Sequence, residues 1–153
     1  MRLTRAVLAV LLLASTGTAM AATPATGLGQ AWPNATDYST NANFHVYVFS
    51  LGGIRYIQVN DVNGNVLGSV GTAGGQFITL PIGRFAQLVS TPSQAPSAST
   101  SATPTAAPAP VYNDGTTAVT ATPLSDGTMQ LSAAQAQMAC DPIDCNIKGI
   151  AAQ

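Results

Sequence analysis

The sequence predicts a mainly β protein built on a small antiparallel meander of about four strands. Three observations lead to this fold class. β-Branched and aromatic residues are concentrated in short runs between positions 44 and 81. Pairs that contain glycine separate these runs, as hairpin turns require. Only 7% of the 153 residues are charged, against about 25% in an average soluble domain. This composition is unlike that of an ordinary cytosolic enzyme.

The first two strands form the clearest hairpin. Residues 44–50 read FHVYVFS, residues 54–60 read IRYIQVN, and Gly52-Gly53 between them supplies a two-residue turn. Successive side chains of a strand point to opposite faces, so Val46 and Val48 share a face with Phe44, and Tyr47 shares the other with Phe49. Because neither face is polar, one needs a cover. The candidates are the segment around Trp32-Pro33, the C-terminal part of the chain and a second copy of the protein.

Two further strands complete the predicted meander. Asn63-Gly64 is the pair that a type I′ turn prefers, and it leads into residues 65–70, NVLGSV. Gly74-Gly75 then leads into residues 76–81, QFITLP. The pattern therefore predicts a β domain within residues 22–90.

A linker is predicted to follow this domain. Between residues 91 and 110 every residue except Gln94 is Ala, Pro, Ser or Thr. Such a stretch has no large apolar side chain to offset the entropy of ordering it, and its prolines favour extended conformations. We therefore expect residues 91–110 to be disordered and to separate the β domain from a C-terminal segment, 111–153.

The C-terminal segment carries weaker signals. Residues 117–122 and 128–131 flank Ser125-Asp126-Gly127 and predict a hairpin. Ser132 is placed to cap a short helix that runs through Met138. A sheet domain of about 60 residues is close to the lower limit for independent stability, so docking of this segment, or homo-oligomerisation by pairing of sheet edges, would help it fold.

The amino terminus predicts export. Arg2 and Arg5 precede an apolar run at residues 6–14, and Ala19-Met20-Ala21 offers small residues where a signal peptidase cleaves. The apolar run is about half of the roughly 20 residues that span a bilayer. We expect residues 1–21 to be a signal peptide, the mature chain to lack a membrane span, and the protein to be periplasmic or extracellular.

Cys140 and Cys145 are the only cysteines. In an exported chain they predict a disulfide, and Pro142 between them favours a turn that brings the sulfurs together. A thiol-active pair and a metal site remain open as alternatives. A thiol-active pair normally has two intervening residues beside a helix, whereas four residues separate these cysteines. A metal site needs two further ligands.

Few residues suggest catalysis. His45 is the only histidine, and a triad with Ser50 or Ser69 and Asp61 lacks the Gly-x-Ser-x-Gly elbow. Residues 61–65 lack the glycine and glutamate spacing of a calcium loop, and residues 71–75 lack the lysine of a phosphate loop. We predict no enzyme activity, no cofactor and no metal. A net charge of −1 also excludes a strongly basic nucleic-acid binder.

Aromatic residues are the strongest candidates for binding. Trp32, Tyr47, Phe49 and Tyr56, with Tyr38 nearby, could form a flat surface for sugars, peptides or another sheet. The alternative is that they form the small core.

Three segments and the cysteine pair resemble a set of small exported proteobacterial proteins of unknown function. They are Gly29 to Asn34 (GQAWPN) ahead of Asp37, His45 to Phe49 (HVYVF), Ile54 to Asp61 (IRYIQVND), and Cys140 with Cys145. The resemblance implies an envelope or secreted location in a Gram-negative bacterium and implies no activity or site residue.

The sequence thus favours an exported, non-catalytic binding or interaction module whose partner is an unidentified protein or polymer of the cell envelope. A small secreted hydrolase or thiol-active protein is the alternative from another class. A third interpretation is an inhibitor or accessory subunit that presents its sheet to an enzyme or wall polymer.

Overall fold

The structure, a computed structural model, describes residues 23–136. The predicted signal peptide, residues 1–21, lies outside this range. So do Cys140 and Cys145, the predicted disulfide pair. The described residues form two four-stranded sheets.

The first sheet is the predicted antiparallel meander. Its strands are β1 (Phe44–Leu51), β2 (Ile54–Asp61), β3 (Val66–Ala73) and β4 (Gln76–Leu80), and they neighbour one another in chain order. Strands β1 and β2 pair up to Leu51 opposite Ile54, which confirms the two-residue turn at Gly52-Gly53. The prediction therefore has the right strands, with ends displaced by at most three residues.

The turn between β2 and β3 differs from the prediction. A type I′ turn needs a positive φ at both central residues. Here Gly64 has φ +81°, whereas no residue other than glycine has a positive φ in the described chain. Asp61 explains the difference, because its carboxylate accepts the backbone N–H groups of Asn63 and Asn65, both at 2.9 Å. The aspartate side chain organises a wider loop than the Asn-Gly pair alone predicts.

The second sheet is formed by the part of the chain after residue 85. A 3₁₀ helix (Ala86–Leu88) leads into β5 (Val89–Ser90), and β6 (Ala109–Asn113), β7 (Thr117–Pro123) and β8 (Met129–Gln135) follow. The order across the sheet is β5-β8-β7-β6, with β5 parallel to β8 and the other pairs antiparallel. The predicted C-terminal hairpin is thus present as β7 and β8.

The helix predicted from Ser132 is wrong for the described residues, because Ser132 lies in β8 opposite Thr120 of β7. Leu131 and Ala133, on either side of it, are buried in the core. This alternation is typical of a strand with one buried face. The packing of that face decides the structure against the weak capping signal.

The two sheets pack face to face around one core. Val46, Ile57 and Val59 contribute from the first sheet. Val119 and Leu131 contribute from the second. Phe44 and Val48 pack against this cluster, so the predicted alignment of Phe44, Val46 and Val48 on one face is correct. The C-terminal part of the chain is therefore the cover of that face, and the two predicted pieces form one sandwich.

The predicted disordered linker is instead laid along the second sheet. The backbone N–H of Ala98 donates to the carbonyl of Gln87 at 3.1 Å, and that of Thr105 donates to Pro123 at 3.0 Å. Ser125 and Thr103 are joined by two hydrogen bonds. The composition of residues 91–110 correctly indicates that they lack side chains for the core. Their backbone N–H and C=O groups can nevertheless form hydrogen bonds with neighbouring segments, and this orders the chain. The end of the segment enters β6 at Ala109.

The opposite face of the first sheet is covered by the segment before β1. This cover is the Trp32-Pro33 region, one of the candidates that the sequence offered. Residues 29–31 lie against Gln58 and Asn60 of β2. No helix within residues 23–136 has the length and hydropathy to cross a membrane.

Candidate functional site

Two buried amides anchor the segment that carries Trp32. Gln58 and Asn60 of β2 are both 0% exposed although their side chains are polar. The Gln58 side chain accepts the N–H of Gly29 at 2.6 Å and donates to the carbonyl of Gln30 at 2.8 Å. The Asn60 side chain donates to the carbonyl of Ala31 at 2.7 Å. Because a buried amide without partners is costly, these bonds tie the backbone just before Trp32 to the sheet.

The Trp32 side chain itself faces solvent. It is 59% exposed, while the backbone of the three residues before it is held by the bonds described above. The indole lies over Gly64 of the β2–β3 turn, where a Cβ would come within 2.7 Å of the ring. Gly64 is therefore required twice, for its positive φ and for this close approach.

His45 lies between two aromatic rings. Its ring centroid is 5.3 Å from that of Trp32, edge to face, and 6.3 Å from that of Tyr47, nearly parallel. Its Nδ1 lies 2.7 Å from Asp37 Oδ2, and the other carboxylate oxygen accepts the N–H of Val46 at 2.9 Å. We refer to Trp32, Asp37 and His45, which are all at least partly exposed, as the Trp32 platform, and this platform packs against the buried Tyr47.

The electrostatics of the platform keep Asp37 ionised. Burial opposes its ionisation, but hydrogen bonds from His45 and from the N–H groups of Val46 and Ser39 outweigh burial and lower the pKa of Asp37. An ionised carboxylate only accepts hydrogen bonds, so the ring N–H on Nδ1 donates to it. In a neutral ring this leaves Nε2 of His45 as an acceptor.

The predicted aromatic surface is divided by the fold. Trp32 and Tyr38 are exposed, at 59% and 53%, and Tyr56 is half-buried. Tyr47 and Phe49 are buried, so for these two residues the alternative of a core position is correct and the exposed surface is not. The cause is the N-terminal cover, which encloses the face that strand alternation alone leaves open.

The residues considered and set aside for a catalytic triad do not come together. The acid beside His45 is Asp37, whereas Asp61 holds the β2–β3 turn with its carboxylate. Ser69 is 1% exposed, and Ser50 lies at the far end of β1. Among the described residues, the only hydrogen-bond partner of the His45 side chain is Asp37.

Both outer strands of the first sheet are partly protected by the chain itself. On β1, Val46 donates its N–H to Asp37 and accepts from the N–H of Tyr38 at 2.7 Å. On β4, the N–H of Thr79 donates to the side-chain oxygen of Gln94 at 3.1 Å. Pairing with another strand needs free edge groups, so these contacts restrict where it could occur.

A polar cluster links the two sheets at one end of the sandwich. Arg55 of β2 donates to the Tyr112 hydroxyl at 2.6 Å and to the Asp114 carboxylate. Burial raises the pKa of Tyr112 to about 12. Burial opposes the ionisation of Asp114, but hydrogen bonds from the N–H of Thr117 and from Arg55 outweigh it and lower the pKa of Asp114. The charge of Arg55 is therefore balanced inside the fold.

The platform residues do not line the larger clefts of the described chain, although one of about 420 Å³ beside them is lined by Asn34, Thr36 and Tyr38 among other residues. One of about 580 Å³ is lined by residues of β4 and of the end of β8, including Phe77 and Gln135. Another of about 370 Å³ lies at the Arg55 cluster, beside Tyr38. Within residues 23–136, no group of three or more His, Cys, Asp or Glu side chains is placed to hold a metal ion. The platform is therefore an open surface.

Asp37, Gln58 and Asn60 are functional positions that are not predicted from the sequence. A signal existed for the amides, since Gln58 and Asn60 alternate on one face of a strand that is otherwise rich in apolar residues. Nothing in their spacing identifies the segment that they bind. Comparison with known protein families, curated proteins and solved structures finds no match for this chain.

Proposed function

We propose that the protein is an exported, non-catalytic binding module of the cell envelope and that the Trp32 platform is its binding surface. The observation that carries this proposal is the exposed indole of Trp32 directly after a backbone segment, residues 29–31, that is hydrogen-bonded to the sheet. Large aromatic side chains contribute most to recognition when they lie on a preorganised surface, because little conformational entropy is then lost on binding.

The location in the envelope is supported by the N-terminal pattern of two arginines, an apolar run and an Ala-Met-Ala site. Mass measurement of the protein purified from an exporting bacterial host tests it. We expect residues 1–21 to be absent from the product. An intact amino terminus in the cytoplasmic fraction would contradict export.

Binding is tested by sedimentation of the purified protein with isolated envelope material. Trp32→Ala removes the platform indole, and Tyr38→Ala is the matched control because Tyr38 is 53% exposed, close to the 59% of Trp32, but lies outside the platform. We expect Trp32→Ala to weaken binding at least about tenfold, the usual effect of losing an aromatic anchor, and Tyr38→Ala to bind like the native protein. Equal binding by both variants would refute the proposal.

One observation favours the alternative of a small secreted hydrolase. The Asp37–His45 pair is the orienting half of a nucleophile–base–acid arrangement. A hydrolase further needs a hydroxyl or thiol within hydrogen-bond reach of His45, and no described residue supplies that bond. Ester hydrolysis abolished by His45→Ala and retained by Tyr38→Ala would favour this alternative.

Self-association through a sheet edge stays a prediction. The contacts of Val46 and Thr79 leave less free edge than the sequence suggested. The mass of the protein in solution at high concentration tests it.

A further inference from the structure

We propose that the ligand of the Trp32 platform is a neutral polysaccharide, with one sugar ring lying on the indole of Trp32. This inference rests on the proposed function, since it names the ligand class of the same surface. It follows from three properties of the platform: the ring it exposes, the polar groups around that ring, and the absence of a free cation among the groups described there.

The indole offers the apolar half of such a site. One face of a pyranose ring carries C–H groups, and these pack against the electron-rich face of an aromatic ring. Trp32 is 59% exposed, and its ring is held in place by Gly64 beneath it and His45 beside it. A fixed, exposed indole binds a flat, partly apolar ligand without a deep pocket.

The neighbouring side chains offer the polar half. Hydroxyl groups around a sugar ring both donate and accept hydrogen bonds. Asp37, with 39% of its side chain exposed, accepts them, and His45, with 29% exposed, supplies a second polar edge. Gln30, Asn34 and Asn63 are exposed amides that flank Trp32 along the chain or in the turn below it. Amides both donate and accept, which suits hydroxyl groups.

The charges at the platform argue against an anionic polymer. Binding of phosphate or uronate groups requires Lys or Arg at the surface. Neither arginine within residues 23–136 belongs to the platform: Arg55 binds Asp114, and the exposed Arg84 lies over the ring of Phe85 and acts electrostatically on Asp61 of the β2–β3 turn. Asp37, held ionised by its hydrogen bonds, repels an anion.

The backbone argues against an extended peptide. A peptide that binds a sheet forms main-chain hydrogen bonds along a free edge. Beside the platform, the groups of Val46 on the edge of β1 are already bonded to Asp37 and Tyr38. A ligand at this surface therefore contacts side chains, which suits a ring better than a strand.

Trp32 is the only tryptophan, so intrinsic fluorescence reports this site directly. The native protein is titrated with cellohexaose and with the hexamer of N-acetylglucosamine, and with oligogalacturonate as the anionic comparison. Calorimetry follows the same ligands with Trp32→Phe, Trp32→Ala and Tyr38→Ala.

We expect at least one neutral hexamer to shift the emission and to displace the protein from envelope material. Trp32→Phe should retain binding within about fivefold, and Trp32→Ala should lose at least about tenfold. Tyr38→Ala should bind like the native protein. Circular dichroism of each variant verifies that the fold is retained.

Three outcomes would overturn the inference. They are saturation by oligogalacturonate alone, no response to either neutral hexamer, and loss of envelope binding after protease treatment of the envelope. If envelope binding still depends on Trp32 in these cases, the ligand class is wrong and the proposed function stands. If envelope binding does not depend on Trp32, the proposed function itself fails.

Discussion

Asn60→Asp is the substitution that tests most directly how the Trp32 platform is held. It exchanges one NH₂ group for an oxygen of almost the same size. The Asn60 amide nitrogen donates to the carbonyl of Ala31 at 2.7 Å and to that of Gly64 at 3.4 Å, and the residue is 0% exposed. In the variant, an oxygen faces both carbonyl oxygens, so the buried group loses its donor and gains a charge whose remaining hydrogen-bond partner is the neutral Gln58 amide, which donates to the other oxygen at 2.8 Å.

The cost follows from two bounds. An uncompensated buried charge costs about 3–5 kcal/mol. The introduced carboxyl can instead stay protonated in the folded chain. Keeping a proton at pH 7 on a group whose unperturbed pKa is about 3.9 costs about 4 kcal/mol, at about 1.4 kcal/mol per pH unit. The two bounds agree, so we expect a loss of about 4 kcal/mol at pH 7.

The pH dependence gives the prediction its sign. The folded-state pKa of the introduced carboxyl is raised above its unfolded value, so the unfolded chain releases a proton that the folded chain keeps. The destabilisation should therefore be small near pH 4 and grow by about 1.4 kcal/mol per unit as the pH rises towards 7. Protonated, the group again donates to Ala31.

Urea unfolding followed by Trp32 fluorescence and by circular dichroism measures this effect. Asn63→Asp is the control, because it makes the same change at an exposed position of the adjacent turn and should cost less than about 0.5 kcal/mol. If the two variants have the same pH profile, the amide of Asn60 is not buried beneath residue 31. The anchoring of Trp32 described above would then be wrong.

Three further predictions concern the sandwich. Leu131→Ala should lower the free energy of unfolding by about 2–5 kcal/mol. Gly68→Ala, whose Cβ would lie 2.8 Å from Leu131 Cδ1, should lower it by about 1–3 kcal/mol. In urea unfolding the double variant should lose less stability than the sum of the two, and strict additivity would mean that the two residues do not touch. Gly83→Ala places a Cβ 2.6 Å from the Leu67 backbone at φ +108° and should lower Tm well below that of Gly115→Ala, which meets nothing within 4 Å; equal Tm values would refute this contact. The folded-state pKa of Asp114 is lowered. The ionised Asp114 carboxylate therefore stabilises the fold above the unfolded pKa of about 3.9, and this contribution is lost as the pH falls below it. Asp114→Asn should therefore flatten the acid side of the stability profile, and an unchanged slope would contradict this.

Prediction from the sequence succeeded where structure depends on neighbouring residues. The turn at Gly52-Gly53 was predictable because both glycines adopt the positive φ that a two-residue hairpin needs. The alignment of Phe44, Val46 and Val48 followed from strand alternation alone.

Prediction from the sequence failed where the local structure depends on contacts with residues far along the chain. Residues 91–110 lack apolar side chains, yet their backbone is paired with neighbouring segments such as the end of β7. Ser132 is a residue type that often caps helices, but the burial of Leu131 and Ala133 on either side of it against the core favours a strand. Strand alternation places Tyr47 and Phe49 on one face but leaves open whether that face is exposed or buried, because the chain that covers them lies earlier in the sequence.

The sequence by itself determined the β meander and its glycine turns, because alternation and backbone φ are local properties of a chain. Only the tertiary structure decided which faces are buried, that Gln58 and Asn60 hold the segment before Trp32, and that Asp37 lies beside His45. These contacts join residues whose spacing along the chain carries no signal, since hydrogen-bond partners and covering segments are selected by the packing of the whole fold.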